Sequence, residues 1–226
     1  MPSKNSTKQY VTGGYYHIYN RGVDKRIIFE DEQDYGVFLC YLKEYLLQKD
    51  VEKLKEEFFK PNISYKEKDK ISKALKMNNF YEEIMLLAYC LMPNHFHFLI
   101  KQNQADSIDR FMNSLATRYS MYFNRKYKRV GPLYQSVYKA VLVEIEEQWL
   151  YLSKYIHKQA LASQGVALRT QPSSYAQYLG LANAAWVQPG EILKCFSRTK
   201  QNLAYKQFVQ GGDELEIIKD VVIEEI

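Results

Sequence analysis

The stretch LMPNHFHFLI, residues 91–100, decides how this chain is read. Pro93 and Asn94 stop one apolar run, EIMLLAYCLM (83–92), and turn the chain into a second, HFHFLIKQ (95–102). Such a break predicts an antiparallel hairpin over 83–102. Alternate side chains of a strand leave the same face. His95 and His97 therefore point one way, while Phe96 and Phe98 point the other, toward a core. Two of the four histidines in the chain stand in these three positions. Two neutral imidazoles on one strand face suit a metal ion. The same alternation also describes the wet face of an ordinary amphipathic strand, so the pair by itself leaves both readings open.

Working outward, GGYYHIYNRG (13–22) reads as a strand ending at Asn20-Arg21-Gly22. QDYGVFLCYLKEYLLQ (33–48) carries Phe38, Leu39, Leu42, Tyr45 and Leu46 at helical spacing. Residues 49–79 are dense in Lys and Glu, broken at Pro61-Asn62, and predict a solvated helical or flexible insertion. Ser107 reads as the N-cap of a helix reaching about Arg125, with Ile108, Phe111, Met112, Leu115, Tyr119 and Tyr122 inward. Gly131-Pro132 breaks it, YQSVYKAVLVE (134–144) alternates like a strand, and residues 146–164 form a helix ended near Gly165. The first six elements, strand-helix-strand-strand-helix-strand, give a ferredoxin-like split βαβ: an α+β fold, one antiparallel sheet with helices on one face. The expected domain is residues 1–165, with 166–226 as a C-terminal accessory region.

Composition narrows the function. A chain of 226 residues with 46% hydrophobic content is an ordinary globular protein. Its net charge of +5 permits a nucleic-acid partner without demanding one. The cations cluster: residues 1–26 and 110–139 are basic, whereas DELEIIKDVVIEEI (213–226) is acidic. Within 110–139, Arg118, Arg125, Lys126, Lys128 and Arg129 interleave with tyrosines such as Tyr122, and Asn20, Arg21, Lys25 and Arg26 follow the first strand. Cations for phosphates beside aromatic faces for bases are what single-strand binding requires. Three scattered cysteines form no metal-binding pair and leave one over in any disulfide scheme, which points to a reducing compartment. No apolar run approaches the roughly 20 residues that span a bilayer, so the expected setting is the cytoplasm, beside the nucleoid.

The helix at 146–164 offers the second half of a site. Tyr155 and Gln159 are four residues apart, on one helical face, with Tyr151 a turn earlier and His157 pointing elsewhere. A phenol is a competent nucleophile toward a phosphodiester when a cation polarises the phosphate. Helical spacing alone suits plain core packing of Tyr151 and Tyr155 equally well.

These segments carry a resemblance. MPNHFHFLI resembles the HUH motif (histidine, hydrophobe, histidine) of nucleases that cut single-stranded DNA through a tyrosine. YHIYNRG (16–22), AYCLMPNHFHFLI, RYSMYFNRKYKRVGPLYQSVYKAVLV (118–143), YLSKYIH (151–157) and PSSYAQYLG (172–180) together resemble the REP-associated tyrosine transposases, in the family's order. The likeness covers most of 13–190 apart from 49–79. It implies a ferredoxin-like nuclease in which Tyr155 attacks DNA and His95, His97 and Gln159 bind a divalent metal, Mg²⁺ or Mn²⁺. REP-associated members usually have Asn-Pro where this chain has Gln159-Ala160; the insertion-sequence relatives use Gln there, so the departure keeps a ligand. The implied partner is single-stranded or hairpin DNA, cut and rejoined through a 5′-phosphotyrosine by a monomer or homodimer. Three rival readings share parts of this pattern: a non-catalytic DNA-binding repressor, another HUH enzyme such as a replication initiator or relaxase, and an unrelated metallohydrolase. The last lacks a third strong ligand nearby in sequence.

Overall fold

The computed structural model describes residues 10–162, 171–196, 199–212 and 215–222. The expected helix stop at Gly165 lies outside them. Four strands, β1 (Tyr15–Arg21), β2 (Ile84–Met92), β3 (His95–Gln102) and β4 (Lys139–Val143), form one antiparallel sheet in the order β2-β3-β1-β4. That order is the ferredoxin-like one read from the hairpin edge. The fourth strand is shorter than the alternation of 134–144 predicts. Residues 134–138 leave the ladder after one bridge from Tyr134 to Gly22, with Gln135 donating to the Arg21 carbonyl at 3.0 Å.

Helices α1 (Glu32–Leu46) and α4 (Ser107–Lys126) cover one face as the two crossovers. Phe38, Leu42 and Tyr45 of α1 and Phe111, Leu115 and Tyr119 of α4 meet Phe96, Phe98 and Ile100 of β3 in one core. Each large apolar side chain buried fully is worth roughly 1.5–3 kcal/mol. The cap of α4 is not the one its sequence suggests. Asp106 holds the N-cap position and Ser107 begins the helix, because the Ser107 hydroxyl is drawn to the Glu83 carboxylate at 2.7 Å.

Between α1 and β2 the basic and acidic segment folds as a helical hairpin, α2 (Val51–Phe58) and α3 (Tyr65–Lys76). Its neck is closed: Asn79 donates to the Leu47 carbonyl at 2.7 Å and the Phe80 amide to the Tyr45 carbonyl at 2.8 Å.

The opposite face of the sheet is also covered. Helix α5 (Glu146–Ala162) lies on β2 and β3, with Leu152 and Ile156 against Leu87, Cys90 and Leu99. Over α5 in turn pack the short helices α6 (Tyr175–Tyr178), α7 (Gly190–Leu193), α8 (Gln201–Gln210) and α9 (Leu215–Ile218). Tyr178, Ile192, Tyr205, Val209, Ile218 and Val221 share its core. Burial on both sides explains why β2 reads as an unbroken apolar run. A bulge between Leu86 and Ala88 adjusts its alternation, so that Leu86 and Tyr89 join the α1 side while Leu87 and Ala88 join the α5 side. Among the described residues no helix is long and apolar enough to cross a membrane.

Candidate active site

The face of the sheet beneath α5 gathers the polar residues. Strand alternation puts Tyr15, His17, Tyr19 and Arg21 of β1 there, with His95 and His97 of β3; the register sets Tyr19 opposite His97 and Arg21 opposite His95. The strand ends are held by a clasp. The Gly22 amide donates to the Asn94 carbonyl at 2.9 Å, and the amides of Ile28 and Phe29 both donate to the Pro93 carbonyl. The Asn94 amide group returns a bond to the Lys25 carbonyl at 3.2 Å. A side chain at Gly22 would place its Cβ 2.3 Å from the Arg26 carbonyl oxygen, so only glycine fits this turn. The Asn-Arg-Gly and Pro-Asn-His segments thus lock together, fixing Arg21 beside His95.

The wet face that strand alternation allowed for this pair holds for His95 only in part and not for His97. His95 is partly exposed, with its Nδ1 2.6 Å from the Asn94 side-chain oxygen, but His97 is only 4% exposed because α5 roofs it. The His97 and Tyr155 rings meet edge-on, centroids 5.6 Å apart. Tyr19 stacks with His97, centroids 5.9 Å apart. Burial, the neighbouring His17 and His95 imidazoles and the Arg21 guanidinium hold His97 well below the usual imidazole range. It is therefore neutral, as a metal ligand must be. Its Nε2 is buried with no hydrogen-bond partner among the described residues. An orphaned ring nitrogen of this kind calls for a partner.

Gln159 is partly buried one helical turn beyond Tyr155. Among the described residues no cluster of three or more His, Cys, Asp or Glu is placed to hold a metal. A metal held here would draw on His95, His97 and the neutral carboxamide of Gln159, one turn of α5 beyond Tyr155. Two imidazoles and an amide oxygen fit a divalent ion of intermediate hardness, Mn²⁺ better than Mg²⁺.

Tyr151 and His157 belong to other contacts. The Tyr151 ring packs on Phe208 of α8 at 5.1 Å, with the Lys154 ammonium 5.6 Å from its centre. His157 is wholly buried between the Tyr205 hydroxyl and the Ser174 hydroxyl, each at 2.7 Å. Tyr205 passes its own proton to Ser153, and Ser153 to the Leu150 carbonyl. His157 thus anchors α5 to the C-terminal helices. Burial lowers its pKa to about 3. Below the ordinary value of 6.5 the unfolded chain takes up a proton that the folded chain refuses, so stability is complete above 6.5 and is lost as pH falls toward 3. The slope this one group adds is about 1.4 kcal/mol per pH unit inside that window. In urea unfolding at pH 6, 5 and 4, His157→Gln should flatten the decline relative to wild type; an identical slope would assign the acid sensitivity to other groups.

The residues expected to meet DNA sort into two sets. The Asn20 amide is buried and donates to the Ser136 carbonyl at 3.2 Å. Arg118 pairs with Glu44 at 2.6 Å and lies over the Tyr41 ring. Lys126 bridges Asp31 and the buried Asp34, each at 2.7 Å, and Tyr122 donates to Asp34 as well. Arg129 donates to Asn124 at 2.9 Å. These side chains hold the protein together. Lys25, Arg125 and Lys128 are exposed, and Arg21 and Arg26 partly so. Sequence reading missed His17 and Tyr19, whose place in the site comes from strand register alone.

Residues 50–159 match the family model described as transposase, IS200-like. Over that segment, just under half of its length, the chain is similar to the IS200-like transposases. The matched segment includes both histidines, Tyr155 and Gln159, in agreement with the likeness to REP-associated tyrosine transposases. It also takes in the α2–α3 hairpin, which the motif resemblance left out, and begins after β1. Among solved structures, one of a REP-associated tyrosine transposase bound to a REP hairpin superposes with a TM-score of 0.44 at 11% identity, over 84% of this chain and 93% of that one. No curated protein matches this chain.

Proposed function

We propose that this protein is a transposase of the IS200-like kind, a metal-dependent single-strand DNA nuclease and strand-transfer enzyme in which Tyr155 is the nucleophile. The observation that carries this is the Tyr155 ring set edge-on to His97, whose Nε2 has no hydrogen-bond partner among the described residues, within the segment that matches the IS200-like family model. His95, His97 and Gln159 hold the divalent ion, which when bound polarises the scissile phosphate. The Tyr155 oxygen attacks phosphorus, forming a tyrosyl–phosphate ester as the bond to the 3′ oxygen breaks. The phenol proton passes to solvent, and the departing oxygen takes a proton to become a 3′-hydroxyl. A second 3′-hydroxyl reverses the exchange, joining new ends without ATP. Hairpin DNA is the substrate class that the family likeness favours.

Purified protein with a single-stranded hairpin oligonucleotide should form a covalent adduct with Mn²⁺ or Mg²⁺ and none with EDTA. Cleavage unaffected by chelation, or binding with no cleavage in any divalent metal, would overturn this reading, the latter in favour of a repressor.

The DNA path follows the strand ends, where Arg21 and Lys25 flank His95 and the loop after α4 docks on β1. For single strands, log affinity falls with log salt by about 0.7 per phosphate contact. Replacing Arg21, Lys25, Arg125 and Lys128 together by alanine should reduce that slope by about 2 to 3. Lys126→Ala, which breaks bonds to Asp31 and Asp34, should lower stability and leave the slope in place. Equal slopes for the quadruple variant and wild type would place the DNA elsewhere.

A further inference from the structure

His17 is 1% exposed and lies beside His97, its ring nearly parallel at 5.1 Å between centroids. Its Nε2 is 2.9 Å from His97 Nδ1, and its Nδ1 is 2.6 Å from the carbonyl oxygen of Val221, just past α9. A carbonyl only accepts, so His17 Nδ1 carries a proton. A His97 that holds a metal through Nε2 keeps that nitrogen as a bare lone pair, so its one ring proton sits on Nδ1. That proton is donated across the 2.9 Å contact to His17 Nε2, and the His17 proton is the one on Nδ1, given to Val221. His97 Nε2 is the nitrogen that has no partner among the described residues. Free imidazole has no such preference for the proton on Nδ1; here a backbone carbonyl at the far end of the chain imposes it through two rings.

We infer that His17 is a positioning residue: it relays the Val221 carbonyl to His97, fixing the tautomer that presents Nε2 as a metal donor. The inference rests on the metal reading proposed above. Ligating histidines whose second nitrogen is bonded to an acceptor are held in ring orientation and made more basic, and loss of that support costs 10- to 100-fold in metal affinity as an order of magnitude. In this chain the acceptor is another imidazole, itself oriented by the C-terminal cover, so that the tail of the fold sets the state of its metal ligand. His17 acts through His97.

The test reads the tautomer directly. In metal-free, ¹⁵N-histidine-labelled protein, long-range proton–nitrogen correlation should show His97 and His17 each protonated on Nδ1 alone. His17→Leu removes the acceptor; the His97 proton should then move to Nε2 in part or whole, and Mn²⁺ affinity by titration calorimetry should drop about 10- to 100-fold. His17→Gln keeps an oxygen that accepts from His97 and an amide group that donates to Val221, and should restore most of that affinity. Wild-type His97 protonated on Nε2, a doubly protonated His17, or a folded His17→Leu protein with unchanged Mn²⁺ affinity would each overturn the inference. If His17→Leu fails to fold, the wild-type tautomers and the His17→Gln protein decide. Wild-type protein that binds no Mn²⁺ would sink the nuclease reading, and the tautomers would still judge the relay.

Discussion

Tyr155→Phe is expected to bind hairpin DNA and Mn²⁺ as wild type does and to form no covalent adduct. The change removes one oxygen from a ring that rests edge-on against His97, so the packing of α5 is kept. Strand cleavage should fall by a factor on the order of 10⁴ to 10⁶, the scale seen when a covalent nucleophile is deleted. Tyr151→Phe is the matched control, because the Tyr151 ring faces Phe208 and Lys154 instead of the histidines. It should cut at the wild-type rate. Peptide mapping of the labelled adduct locates the phosphotyrosine; a label on Tyr151, or one that survives in Tyr155→Phe, would show that the wrong turn of the helix had been chosen.

Loss of either histidine should abolish metal-dependent cleavage, yet with different costs to the fold. His95 is partly exposed at the strand end, and His95→Ala should melt within a degree or two of wild type. His97 is buried, so His97→Ala strands the Nε2 of His17 and opens space under α5. An unpaired buried polar group costs roughly 1–3 kcal/mol, which in a chain of this size lowers Tm by about 2–10 °C. Calorimetric melting and Mn²⁺ titration of both variants check this. Equal melting temperatures would contradict the burial of His97, and retained cleavage in either variant would remove the two histidines from the mechanism.

Much of this geometry was legible in order and little of it in depth. The Pro93-Asn94 break, the alternation of Phe96 and Phe98, and the helical spacing of Phe38, Leu42 and Tyr45 are local signals, and they led to the right sheet. His17 was not legible. In YYHIYNR it is one polar residue of a strand, and it meets His97, 80 residues away, only because β1 pairs with β3 in one register. The burial of His97 was hidden for a related reason: its roof is held down by four short helices after residue 171, too brief to show a periodic pattern. The basic run at 118–129 misled in a third way. Charge is visible in sequence and neutralisation is not, since the partner of Lys126 in the core, Asp34, lies 92 residues earlier.

The closed neck beneath the α2–α3 hairpin has a consequence for how this gene can change. Leu47 and Asn79 are bonded to one another, so the chain leaves the body of the protein and returns to the same spot. Whatever hangs from that spot is free to lengthen, shrink or be exchanged, since the cost of closing a longer loop grows only slowly with its length. A short turn joining the two ends should spare the sheet and the site on its far side. A tag or a foreign domain spliced between them would ride on the protein as a passenger.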